Sequence, residues 1–327
     1  MIEIFNLVEL ERKTYTSYPA RSEYYDLKPY GLDTLLVESL TSYVRRLAYI
    51  HNVTPQCLIK DIISSQKIQD ELIKRAFYYA KTINLNGLRP FVRECIQGLE
   101  HKTGNRNLHL LTMLSWENIL TSTGIFKVQR AWCPECYNEM YDEFQEVYDP
   151  LIWFFEQVKM CPKHKKVLLT ECSYRDCKSI QKVFNRYSNA YCDKCDRWLG
   201  KSNATHKKAQ LTQQEKERQD WIIKNIGGLL IVASNIEPPK TDRIFFIVNQ
   251  SYEKLFQGDK DLFCKCMDLH SITLCTMKNK QTKVHLDSLL KLSYCTGVDL
   301  VDLVSTDTIN WTDKIVKVPS IHNTSNF

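Results

Sequence analysis

Glycine and proline are scarce in this chain, at 10 residues each in 327. So few backbone breakers argue against a turn-rich all-β fold, and the abundance of Leu, Ile, Lys and Glu favours helices. No run of eighteen apolar residues occurs, so the pattern contains no membrane-spanning helix. The opening MIEIFNLVELERK has neither a basic start nor a continuous apolar stretch, and a cytoplasmic protein is expected. Catalytic signatures are missing too. There is no GxxxxGK loop, no GxGxxG, HExxH or GxSxG, and no HxE of the zinc deaminases. The expectation is a mainly α protein that is not an enzyme.

What the chain does have is cysteine, 13 in all. An odd number in a long chain without a leader points to reduced thiols and metal rather than disulfides. Eight soft-metal ligands fall between Cys133 and Cys195 in four short pairs: Cys133 with Cys136, Cys161 with His164, Cys172 with Cys177, and Cys192 with Cys195. Two ligands a few residues apart reach one ion from one tight turn, and zinc takes four N or S donors in a tetrahedron. The expected sites are Cys133, Cys136, Cys161 and His164, then Cys172, Cys177, Cys192 and Cys195, with His206 as a substitute ligand for the second. Four protein ligands each would make two closed, structural zinc ions that supply folding energy to a segment too short for its own core. Cys264, Cys266, Cys275 and Cys295 follow no ligand spacing and read as ordinary thiols, as do Cys57 and Cys95 on apolar helix faces.

The net charge of +6 permits nucleic acid without requiring it. Glu135 to Glu156 holds seven acids and no Lys or Arg, whereas Gln157 to Lys201 holds eleven basic residues against four acids. The metal region therefore reads as electrically two-sided, with two candidate interfaces.

Around it, residues 1–32 are Tyr-rich, carry Pro19 and Pro29, and read as an extended arm lying over the core. From Asp33, a candidate cap, Leu36, Leu40, Tyr43, Val44, Leu47 and Ile50 follow a helical period. The helix stops near Asn52, and Thr54-Pro55 opens a second one to about Ser64. This unit recurs: Arg46 to Ile59 aligns without a gap on Lys291 to Val304, with Asn52 opposite Gly297 and Thr54 opposite Asp299. Asn and Gly tolerate φ > 0 after a helix, the following Val plugs the gap, and Thr or Asp caps the next helix. Two helix-turn-helix units are read, and their second helices are too poor in Arg, Lys, Asn and Gln to be strong base readers.

Further helices are expected over Lys67–Ala80, Arg89–Leu99, Leu108–Leu120, a stretch opened by the capping box Thr212 to Glu215, Arg243–Phe256 and Leu262–Leu269. The pair Gly227-Gly228 is expected to kink or end the fourth, and Ile244 to Val248 alone is equally compatible with a buried strand. The resulting division is an arm 1–32, a helical helix-turn-helix domain 33–130, a tandem zinc-ribbon or zinc-finger centre 131–200, a helical domain 201–312 with the second helix-turn-helix, and a tail 313–327.

Several of these stretches together resemble the TniQ family: Glu38-Ser-Leu-Thr-Ser-Tyr-Val-Arg-Arg-Leu-Ala48, Asn52-Val-Thr-Pro55, Leu99 to Gly104 with Leu108 to Thr112, Trp132-Cys-Pro-Glu-Cys136, Trp153, and Cys161-Pro-Lys-His164 with Leu168. The resemblance covers residues 30–200, departing where CxxxxC replaces CxxC in the second site and where Lys165 stands in place of a frequent Gly. It implies a bacterial target-selection protein of transposons, most like those of CRISPR-associated elements. Such a protein is a non-catalytic adaptor joining an RNA-guided effector such as Cascade, with its guide RNA, to the AAA+ ATPase TnsC for DNA integration. DNA is then reached through the complex, and a homodimer stays open. A sequence-specific DNA-binding selector of an attachment site is the first alternative, and a zinc-dependent transcriptional regulator the second. The short stretch after the second helix-turn-helix leaves little room for a dedicated DNA-reading domain, which favours the adaptor.

Overall fold

The computed structural model describes residues 21–65, 85–183, 189–200, 211–279, 282–306, 308–309 and 311. Among them are ten α-helices, three 3-10 turns and eight isolated β-bridges, with no longer strand. The chain is mainly α, and its ribbons are reduced to single bridge pairs. The expected helix Lys67–Ala80, residues 1–20 of the arm, His206 and the tail 313–327 lie outside the described residues.

The first helix-turn-helix is α1 (Leu40–Ile50) followed by α2 (Pro55–Ser65), which packs on α3 (Pro90–Thr103). Asp33 is not the cap of α1. It sits in a turn at φ 60°, and Ser39 Oγ instead accepts from Ser42 N at 3.2 Å. Asn52 does take the left-handed conformation, at φ 54°. Val53 leaves the gap between the helices unfilled and is exposed, in contrast to its counterpart Val298, which is buried. The expected helix Leu108–Leu120 is two 3-10 turns, Leu108–Leu111 and Leu114–Trp116. Thr112 breaks it, extended at φ −139°, with its hydroxyl accepting from Leu114 N at 3.1 Å. The segment is buried on nearly every side, from Leu108 to Leu120, so no single helical stripe was needed. Within the described arm, Tyr24 and Leu27 lie on this unit, with Leu27 O accepting from Tyr43 Oη at 3.0 Å.

α1 is polar on the side that faces the metal-bearing segment. Arg46 reaches Glu38 at 2.6 Å and Glu146 at 2.8 Å, beneath the Tyr30 ring. Ser42 Oγ donates to Glu38 and in turn receives Asp149 N at 2.9 Å and Asn189 Nδ2 at 2.8 Å. Asp149, wholly buried, accepts from Arg130 Nε at 2.7 Å and Nη2 at 3.0 Å and from Tyr137 Oη, with Arg45 at 3.6 Å. Two guanidinium groups around one carboxylate join the helical unit to the segment that follows it.

Beyond α4 (Pro134–Phe144), the 20-residue α5 (Gln213–Val232) opens on the expected capping box of Thr212 and Glu215. Gly227 and Gly228 do not end it, and the helix runs on to Val232. A Cβ on Gly227 would come within 2.4 Å of Leu35, and one on Gly228 within 2.9 Å of Val301, so the pair is where α5 meets both halves of the chain. α6 (Arg243–Lys254) is a helix throughout Ile244 to Val248, and α7 (Lys260–Met267) is followed by α8 (Ser271–Asn279), which sequence reading passed over. The second helix-turn-helix is α9 (Leu286–Thr296) and the six-residue α10 (Leu300–Ser305), turning at Gly297 with φ 71°. Its N-terminus is served by α5 and not by Asp299. Leu300 N donates to Asn225 Oδ1 at 2.7 Å, while Asp299 pairs with Lys224 at 2.7 Å.

Removing the Asp149 carboxylate takes the nearest counter-charge from two buried cations, a change that costs about 3–5 kcal/mol in comparable buried pairs. Asp149→Ala is expected to lower the unfolding free energy by that amount in denaturant titration, and a loss below about 1 kcal/mol would show that the joint is not needed.

Candidate metal centres

The first centre starts at a helix end. Cys133 is the extended N-cap of α4, Pro134 fixes the first helical φ, and Cys136 lies in the first turn. The positive end of a helix favours thiolate there. The partner pair lies on a hairpin turn in which Cys161 N donates to Lys166 O at 2.8 Å and Lys165 N returns to Cys161 O at 3.0 Å, closed by the bridge Met160↔Val167.

Ligand atoms of the four residues converge. Cys136 Sγ lies 3.5 Å from Cys161 Sγ and 3.2 Å from His164 Nδ1, and Cys133 Sγ lies 3.5 Å from the same nitrogen. A disulfide is far shorter, and a zinc tetrahedron with bonds of about 2.3 Å to sulfur has edges of roughly 3.7 Å. His164 turns Nδ1 inward and its Nε2 to Glu139 Oε1 at 3.1 Å, the carboxylate-to-histidine arrangement that orients metal-bound imidazole. Glu139 was not foreseen. Its signal is the spacing from Cys136, three residues on along one helix face. In this crowd the Cys161 thiol is pulled down to about 2 by hydrogen bonds from Cys133 and Cys136, while hydrogen bonds with Cys133 and Cys161 push Cys136 far up. One thiolate is stabilised by its protonated neighbours, and a divalent cation is what would let all of them ionise.

The second centre gathers Cys172, Cys177, Cys192 and Cys195, with Cys172 Sγ 3.7 Å from Cys195 Sγ and Cys177 Sγ 3.7 Å from Cys192 Sγ. Its second turn repeats that of the first centre: Cys192 N donates to Arg197 O at 2.9 Å and Asp196 N to Cys192 O at 2.9 Å. Its first turn explains the four-residue gap. Lys178 N donates to Tyr174 O at 3.1 Å, so Cys177 occupies the same place in the turn as His164 and Cys195 do in theirs, and Cys172 has moved two residues back. Burial raises the Cys195 thiol, but hydrogen bonds from Arg197 outweigh it and bring it to about 6. Gln181 Nε2 donates to Cys192 Sγ at 3.3 Å.

The residue after the last ligand of each of these three turns is left-handed: Lys165 at φ 53°, Lys178 at 47° and Asp196 at 53°. Glycine is the residue such a position favours. All eight expected ligands thus come together as two groups of four, each with donor atoms within 4.8 Å of one another. Their thiolate and imidazole donors suit zinc. Of the other thiols, Cys95, Cys266 and Cys295 are buried, Cys264 is half-buried and Cys275 exposed; Cys57, expected in the core, is exposed on α2.

Folding pairs part of the two charged stretches with each other and with α1. Glu135 pairs with Lys166 at 2.5 Å, Glu139 with Lys163 at 2.8 Å and Glu146 with Arg46 at 2.8 Å, so acids of one stretch clasp bases of the next and of α1. Charge totals along the chain missed this because residues 24 to 100 positions apart meet in the fold.

Cys161→Ser is expected to lower bound metal from two ions per chain to one by elemental analysis, and retention of both would refute the ligand set. Lys165→Gly relieves a left-handed side chain and is expected to raise stability by up to about 1 kcal/mol with metal content unchanged. A loss of stability would place the value of Lys165 in its ion pair with Asp220 instead.

No helix among the described residues is long and apolar enough to cross a membrane. No curated protein matches the chain. Residues 29–168 match the family model described as TniQ, a stretch that opens just ahead of the α1 joint and closes just past the first metal centre. Over residues 29–168 the chain is similar to the TniQ family, a similarity that points to a role in transposition target selection.

Proposed function

We propose that the protein is the adaptor of an RNA-guided transposon, gripping a Cascade-type effector with one part of its surface and the AAA+ ATPase TnsC with another. The observation that supports this over direct sequence reading is the composition of the two second helices. α2 turns Gln56, Cys57, Lys60 and Asp61 outward, and α10 is six residues long with Asp302 exposed. Neither carries the Arg, Lys and Asn set that reads base edges in the major groove, and the carboxylates oppose phosphate. Two metal-stiffened hairpins and the long α5 hold these units apart as fixed surfaces for protein partners. Zinc in this reading is scaffold, with four protein donors at each ion and no role in chemistry.

The competing reading is a sequence-specific DNA-binding selector that tracks phosphates with the basic residues of 159–201. It makes a different forecast for salt, a steep linear fall of log affinity with log salt. Affinity capture with purified TnsC and with the effector complex is expected to retain the protein on both, and duplex binding alone is expected to stay weak. Failure to bind either partner, or nanomolar binding to an attachment-site duplex at physiological salt, would overturn the adaptor reading.

A further inference from the structure

Three aromatic rings and a carboxylate meet where the helix of the first metal centre touches the hairpin of the second. Tyr141 and Asp142 lie on the outer face of α4, and Tyr191 and Trp198 are the bridged pair that flanks the turn of Cys192 and Cys195. With Asn138 they line a surface cavity of about 290 Å³. The Trp198 ring stands 5.3 Å from Tyr141 at 64° and 5.6 Å from Tyr191 at 67°, so its two neighbours meet it edge to face.

The cavity is held in shape from below. Trp198 Nε1 donates to Asn138 Oδ1 at 3.0 Å and Asn138 Nδ2 donates to Gly200 O at 3.0 Å. A Cβ on Gly200 would fall within 2.4 Å of Asn138 Oδ1, so only glycine allows this approach. Trp132 Nε1 fixes the neighbouring Leu199 O at 3.1 Å. The indole is therefore locked, while Tyr141 and Tyr191 stay 43% and 39% exposed. Asp142 is exposed and makes no ion pair among the described residues, unlike Glu135, Glu139 and Glu146 of the same segment.

Three aromatic rings bordering one small volume supply negative quadrupoles at its wall, and the exposed Asp142 carboxylate adds charge of the same sign. Phosphate is disfavoured beside Asp142, and crossed rings offer no parallel slot for a base. A planar cation fits both features, stacking on a ring while its N–H groups fork to the carboxylate. We infer that this cavity is the docking site for an arginine side chain of a protein partner. The inference goes beyond the adaptor reading and stands without it, since its test needs no named partner.

The test uses the metal-loaded full chain with ¹⁵N-labelled indoles, six Trp in all, Trp198 being assigned through Trp198→Phe. N-acetyl-arginine methylamide is expected to move the Trp198 resonance with half-saturation on the order of millimolar. The isosteric but neutral citrulline derivative and adenosine monophosphate are expected to leave it in place. Asp142→Asn and Tyr141→Ala should each weaken the arginine response by about three- to tenfold, with the other indole signals reporting that the fold is kept. A Trp198 signal unmoved by arginine, moved equally by citrulline, or moved by the nucleotide alone would overturn the proposal.

Discussion

The buried carboxylate of Asp149 is the constraint on which most of this architecture depends. Burying one charge between two guanidinium groups is favourable only when its oxygens are satisfied, and here Arg130 and Tyr137 hydrogen-bond them, with the Arg45 charge 3.6 Å away, while Ser42 and Asn189 tie the surrounding backbone. The contacts come from α1, from the linker into the metal region, from α4 and from the hairpin of the second centre. Ser39, Ser42, Arg45 and Arg46 of the family-like opening of α1 are therefore not surface groups awaiting a ligand. They are the inner side of a joint, and they explain why the first helix is so polar.

The metal centres depend on the same economy of length. Among the described residues between Cys133 and Trp198 there are one α-helix, one 3-10 turn, single bridges and tight turns, too little regular structure to fix itself by backbone pairing. Each turn instead aims two donors at a common point, and α4 serves twice, supplying Cys136 to the ion site and Glu139 to the back of His164. The second centre shows that the turn and not the spacing is what is preserved. The same carbonyl-to-amide closure survives in Tyr174 to Lys178 although one ligand has slipped two residues back.

How much of this was legible in the sequence follows from how local each cause is. Ligand pairs, the Thr212 capping box and the left-handed Asn52 and Gly297 are set by residues a few positions apart, and all appear where sequence reading puts them. The capping of α1 by Ser39 rather than Asp33, and of α10 through Asn225 rather than Asp299, required knowing which segment arrives alongside. So did the fate of Leu108–Leu120, where burial on all sides removed the need for a helix, and of the charged stretches, whose opposite signs found each other. Gly227-Gly228 reads as a breaker from propensity alone, yet a helix packed on two faces has more use for missing side chains than for an end.

That pair of glycines has a mechanical consequence. Leu35, ahead of α1, presses on one and Val301, in α10, on the next, so the two halves of the chain bear on α5 at adjacent residues, about 1.5 Å apart along its axis. Gln219 anchors the near end of α5 by bonds of 2.7 and 3.0 Å to Lys159 N and Gln157 O, and the two halves also meet at the Leu120↔Val284 bridge and where Asn118 Nδ2 donates to Pro239 O at 3.1 Å. The halves are thus joined at several points. Two partners seated on them would therefore meet at a set distance, and the second to arrive would forfeit little orientational freedom.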